Sequence, residues 1–136
     1  MKIDISRQQG NVPVTVVRPQ GDLDGSTYTE LINTVRQLVT EGARDFVIDL
    51  SDVPFLSSAG LMAIFSTTLL LQGQAPPDVA VGRSALKGMD RSRVSESLKH
   101  VKLLGLNPGV AETFDKAGFS QHFEIFSDLQ AAVASF

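Results

Sequence analysis

Residues 46–71 read FVIDLSDVPFLSSAGLMAIFSTTLLL, and the fold follows from how this stretch is read. Phe46 to Leu50 is a short apolar run between a helix end and a polar turn, the pattern of a strand buried on both faces. Strands buried in that way have parallel neighbours, joined by crossovers that are usually helical. Residues 51–58 form the turn, and from about Ala59 to Leu71 the density of Leu61, Met62, Ile64, Phe65, Leu69 and Leu70 predicts a helix over 59–72.

Upstream of this unit, Tyr28, Leu31, Ile32, Val35, Leu38 and Val39 share one face of a helix over 28–41. Thr27 and Glu30 make a capping box at its start, and Gly42 stands where the chain should leave it. Ile3 and Ile5 alternate with polar residues, and Val12 to Val17 follow Gly10-Asn11, so two strands joined by a turn open the chain. Downstream, Val101 to Leu104 is a strand, and Asn107-Pro108 caps a helix over 108–117 that stops at Gly118. Phe123 to Phe126 is the last strand, and Ser127 or Asp128 caps a final helix over 128–135. The order β-β-α-β-α-β-α-β-α, closed by right-handed crossovers, predicts an α/β domain: a mixed four- or five-stranded sheet with about four helices packed against it.

One domain accounts for residues 1–136, because the chain is too short for a second core. The pattern breaks only in an insertion at about 74–98, which opens with Gln74-Ala-Pro-Pro77 and carries Arg83, Lys87, Arg91 and Arg93. Within it Val79 to Val81 reads as a short strand and Arg91 to Lys99 as a short helix, and the segment should be more mobile or exposed than its flanks.

Twelve Lys and Arg against 15 Asp and Glu leave a net charge of −3, so no basic field exists to hold nucleic acid. Without cysteine there are no disulfides, thiolate metal sites or thiol nucleophiles. No apolar run approaches the ~20 residues of a membrane span, and residues 1–10 have no signal-peptide core, so the expectation is a cytoplasmic protein.

The candidate chemistry gathers at the strand-to-helix junction. Ser57 and Ser58 stand where a buried strand gives way to a helix N-terminus, whose amides and dipole favour an anion by about 0.3–1 kcal/mol. A phosphoserine is tolerated there and would present new charge to a docking partner. The alternative is that one of the two serines is simply the helix cap. Asp22, Asp24, Asp49 and Asp52 gather at one sheet edge and read as solvated turn carboxylates rather than metal ligands. His100 and His122 have no partner spacing for metal or triad chemistry, and no glycine-rich phosphate loop occurs. No catalytic residue, metal ligand or cofactor site is therefore assigned, and the protein is read as a non-enzyme.

Four segments, taken together, resemble the sulfate transporter and anti-sigma factor antagonist (STAS) domain, and within it the bacterial anti-sigma factor antagonists. They are Gly21-Asp-Leu-Asp24, Asp49-Leu-Ser-x-Val-x-Phe-Leu-Ser-Ser-Ala-Gly-Leu61, Leu104-Gly-Leu-Asn-Pro-x-Val110 and Phe114-x-x-x-Gly-Phe119. The resemblance implies a partner switch in which the domain binds a GHKL-type serine-kinase anti-sigma factor and is released by phosphorylation, a phosphatase reversing the step. It implies a partner-binding surface of Asp24, Ser57, Ser58, Ala59, Gly60, Leu61 and Met62, with Leu61 and Met62 giving apolar contact. In the family the phosphoacceptor directly precedes the motif glycine. Here that residue is Ala59, which has no hydroxyl, and Ser57 replaces the usual Asp, so the acceptors implied are Ser58 or Ser57. The alternative role is an unswitched scaffold subunit of a signalling or lipid-transport complex. A monomer or homodimer is expected.

Overall fold

The computed structural model describes residues 1–71, 73, 99–120 and 122–136. The insertion at 74–98, with its expected strand and most of its expected helix, lies outside the described residues. In chain order the elements are β1 (Lys2–Gln9), β2 (Pro13–Gln20), α1 (Tyr28–Thr40), β3 (Phe46–Asp49), α2 (Ser58–Leu71), β4 (Val101–Leu104), α3 (Pro108–Ala117), β5 (Ile125–Phe126) and α4 (Leu129–Ala134). The β-β-α-β-α-β-α-β-α order is the one read from the sequence. The last strand is shorter than expected, and among the described residues the sheet has five strands.

The sheet runs β1-β2-β3-β4-β5. β1 and β2 form an antiparallel hairpin in which Ile5 faces Val17, and every later pairing is parallel, Val16 beside Val47 and Ile48 beside Leu103. With no side chain at the turn, Gly10 lets the hairpin lie against Val133 of α4. Strand alternation then sorts side chains onto two faces. Val17, Phe46, Ile48, Val101 and Leu103 join the large cluster built with α1, α2 and α3, while Val14, Val16, Val47 and Leu104 join Ala132 and Val133 of α4. β3 is covered on both sides, which is why its run is apolar without alternation.

Leu31, Ile32, Val35 and Leu38 are the buried stripe of α1. Its capping box is not formed: Thr27 occupies the cap position without a side-chain cap bond. The Thr27 hydroxyl instead donates to the Asp22 carbonyl at 2.8 Å and accepts from the Asp24 amide at 3.0 Å, turning back into the preceding loop. Asn107 and Asp128 do cap α3 and α4, accepting from Val110 and Ala131 amides at 2.8 and 3.1 Å. On the α4 face Lys102 is buried, and its ammonium donates to the Ser135 carbonyl and hydroxyl at 2.9 and 2.7 Å. It lies 4.4 Å from the Phe136 ring centre and 3.3 Å from the Glu124 carboxylate, so a buried charge in the sheet is met by the end of the last helix and by Glu124.

Helix α2 is buried along nearly its whole length, from Ala59 through Leu69. Its Phe65 stacks on Phe119 with ring centres 5.5 Å apart, which links it to the chain leaving α3. Ile48 is fully buried at the middle of this core. Ile48→Ala is expected to cost about 2–5 kcal/mol of stability in urea unfolding followed by circular dichroism.

Candidate functional site

Because β2 and β3 are parallel, the loops leaving their carboxyl ends emerge side by side. Those loops, residues 21–27 and 50–57, are joined backbone to backbone. The Gly21 amide donates to the Asp52 carbonyl, the Leu23 amide to the Phe55 carbonyl and the Ser57 amide to the Leu23 carbonyl, each at 3.0 Å. Leu23 and Leu56 are the bridging pair, and both side chains are buried. At Gly60 a Cβ would run into the Leu23 carbonyl and the Leu56 side chain, so the first turn of α2 packs against the loop only because that position has no side chain.

Ser57 precedes α2, and its Oγ accepts from the Gly60 amide at 3.3 Å, the geometry of a helix cap. Ser58 is the first helical residue and is exposed. Its hydroxyl has no hydrogen-bond partner among the described residues. Ala59 is 6% exposed and Gly60 is buried. At one helix end, therefore, one serine is occupied by the backbone and the next faces outward.

Asp24 organises the neighbouring loop. Its Oδ1 accepts from the Ser26 amide at 2.9 Å and the Ser26 hydroxyl at 2.7 Å, while its carbonyl accepts from the Thr27 and Tyr28 amides at 3.1 and 2.9 Å. The Ser26 hydroxyl, followed by the Ser26 amide, holds the carboxyl below its ordinary pKa, because these donors favour the charged form.

The apolar contact expected from Leu61 and Met62 requires correction. They are 7% and 4% exposed, because α2 enters the core within one turn and turns these side chains inward. The exposed apolar group at the junction is Phe55, at 54%, between buried Val53 and Leu56. A phenylalanine held in a tight turn between two inward-facing residues is the sequence signal for it, and reading residues 51–58 only as a turn passed it over.

Of the remaining carboxylates Asp22 is exposed, while Asp49 and Asp52 are engaged locally. Asp49 accepts from the Ser51 amide and hydroxyl at 3.0 and 2.6 Å, and Arg18 reaches Asp52 at 2.7 Å. No group of three potential metal-ligating side chains occurs among the described residues. His100 meets Asp45 at 2.7 Å where β3 and β4 begin, away from these loops, and is 47% exposed in its side chain. None of the described helices is long and apolar enough to cross a membrane.

The loops and the buried helix of this junction lie within a recognised sequence family. The STAS domain profile matches residues 3–74, more than half of the 136, and the chain belongs to that family. A Thermotoga maritima protein described provisionally as an anti-sigma factor antagonist has a similar structure, with TM-score 0.69 at 14% identity over 96% of this chain and 90% of that one. The anti-sigma factor antagonist SpoIIAA of Bacillus gives TM-score 0.63 in its unphosphorylated form, at 14% identity over 96% and 92% of the two chains. Its phosphorylated form gives 0.58, at 14% identity over 96% of both chains. A sulfate transporter family protein of Wolinella succinogenes gives 0.57, at 17% identity over 89% and 82%. These likenesses establish the fold.

Because the Asp24 carboxylate is hydrogen-bonded in the folded state, its contribution to stability is present above the unfolded pKa of about 3.9 and is lost as pH falls through its lower folded value. Carboxyl-carbon NMR should find the Asp24 midpoint below that of an ordinary aspartate, and Ser26→Ala should move it upward.

Proposed function

We propose that this STAS domain is a cytoplasmic, non-enzymatic regulatory module that acts as an anti-sigma factor antagonist in a partner switch. It docks a GHKL-type serine-kinase anti-sigma factor on the surface formed by the Asp24 loop, Phe55 and the start of α2, and phosphorylation of Ser58 releases it. The observation that carries this reading is the division of labour at the helix start: Ser57 is occupied as the cap, Ser58 is outward-facing and Ala59 has no hydroxyl. The phosphorylated and unphosphorylated forms of the structurally similar SpoIIAA support it.

The physics of the release follows from charge. Phosphate on Ser58 carries about −1.5 to −2 at pH 7, and the neighbouring backbone amides of α2 can accommodate it in the free protein. Within an interface the same charge loses water without gaining a counter-charge. Each 1.4 kcal/mol of that penalty is about tenfold in affinity. Phe55 supplies the central apolar contact over a standard interface of roughly 1,200–2,000 Å². Ala59 and Gly60 keep the approach low, while Leu61 and Met62 support it from beneath. A phosphatase resets the switch.

The loss of a hydroxyl at Ala59, where the family pattern has its acceptor, favours a second reading, an unswitched scaffold subunit. Mass spectrometry of the protein after incubation with the kinase and ATP separates the two. Phosphate on Ser58 is expected, with Ser57 unmodified. Titration calorimetry should then show at least about tenfold weaker kinase binding for Ser58→Asp and for Phe55→Ala, and unchanged binding for Ser58→Ala. An active kinase that leaves Ser58 unmodified puts the scaffold reading first.

A further inference from the structure

The loop that carries Phe55 has four consecutive carbonyls, of residues 52–55, and all four are held. Asp52 and Phe55 carbonyls accept from backbone amides of Gly21 and Leu23, each at 3.0 Å. The Val53 and Pro54 carbonyls between them both accept from one side-chain amide, Asn107 Nδ2, at 3.0 and 3.5 Å. The first pair of bonds is main chain to main chain and uses no side-chain atom. The second pair rests on a single residue more than fifty positions away in the sequence.

The same side chain has a second task. Its Oδ1 accepts from the Val110 amide at 2.8 Å and so caps α3, a ten-residue helix with Pro108 behind the cap. One planar amide therefore clamps the start of α3 with its acceptor and the site loop with its donor. Alongside it, Gly105 brings the β4–α3 connection against the turn after β3: at φ +73°, a Cβ there would lie 3.0 Å from Ser51 Cβ and 3.3 Å from Asp49 Oδ1.

We infer that Asn107 is the positioning residue of the docking surface, holding the Val53-Pro54 backbone so that Phe55 projects and Ser58 stays outward at the helix start. This rests on the reading of Phe55 and Ser58 as that surface. Asn107 makes its hydrogen bonds with main-chain atoms and not with these side chains. It acts through the two carbonyls, and its capping bond is a separate function carried by the other atom of the amide.

The separation of donor from acceptor makes the inference testable. Asn107→Asp keeps an acceptor for the Val110 amide, Asp and Asn being comparable caps, but has no donor for the loop carbonyls. Asn107→Ala loses both. Hydrogen exchange of the free full-length protein, read by mass spectrometry beside a thermal melt, should show Asn107→Asp exchanging several-fold faster in residues 51–58, with α3 protection and melting temperature close to the parent. Asn107→Ala should lose protection in both regions and melt lower. Unchanged exchange at 51–58 in Asn107→Asp overturns the inference, and so does loss of protection in α3 to the same extent, which would make Asn107 a helix cap only. Calorimetry against the purified kinase adds the functional arm: Asn107→Asp should bind about tenfold more weakly, and binding equal to the parent's also overturns the role. Failure of the unsubstituted protein to bind the kinase strikes the docking reading instead, and the exchange data still decide whether Asn107 holds the loop.

Discussion

Leu23 spends both of its backbone groups on the loop that follows β3, donating to Phe55 and accepting from Ser57, and the rest of the site depends on that exchange. Two irregular segments become a short extension of the parallel sheet beyond its last regular residues. The exchange is possible only where the carboxyl ends of β2 and β3 lie side by side, as the parallel register of Val16 with Val47 requires. It also sets a steric condition on α2, which can approach the Leu23 carbonyl only through the bare Cα of Gly60. The motif glycine is thus a packing requirement of the loop pair before it is anything else.

The polar residues around this point are largely turned to local use. Asp24 and Asp49 fold back on Ser26 and Ser51, Thr27 ties Asp22 to Asp24, and Arg18 balances Asp52. Bonds of this kind favour turn geometry over a ligand shell, because the carboxylate oxygens are already accepting from nearby amides and hydroxyls. Outward at this point, among the described residues, are the aromatic ring of Phe55, the hydroxyl of Ser58 and the exposed Asp22. An apolar anchor next to one modifiable group on a stiff frame suits a surface meant to be recognised and then changed by a single charge.

Much of the architecture was legible because it obeys simple periodicities. The stripe of Leu31, Ile32, Val35 and Leu38, the unalternating run of β3, and the Asn-Pro start of α3 each specify an element from neighbours a few residues apart. The errors have a common origin. Thr27 has the composition of a capping box, but its hydroxyl is claimed by Asp22 and Asp24. Leu61 and Met62 lie in the motif that marks the site, yet the angle at which α2 leaves the loop sends them into the core. Composition says which bonds a residue can make, and competition among neighbours in space selects one.

By itself the sequence determined the order of strands and helices among the described residues, the burial of β3, the family to which the chain belongs and the junction at which its serines lie, since all of these are written in local spacing and in four short motifs. Only the tertiary structure decided that Ser57 is occupied while Ser58 is outward, that Phe55 rather than Met62 is the exposed apolar group, and that Asn107 holds the loop between them. Those outcomes depend on contacts between segments distant in the chain, where a change of helix angle by a fraction of a turn exchanges an inward side chain for an outward one.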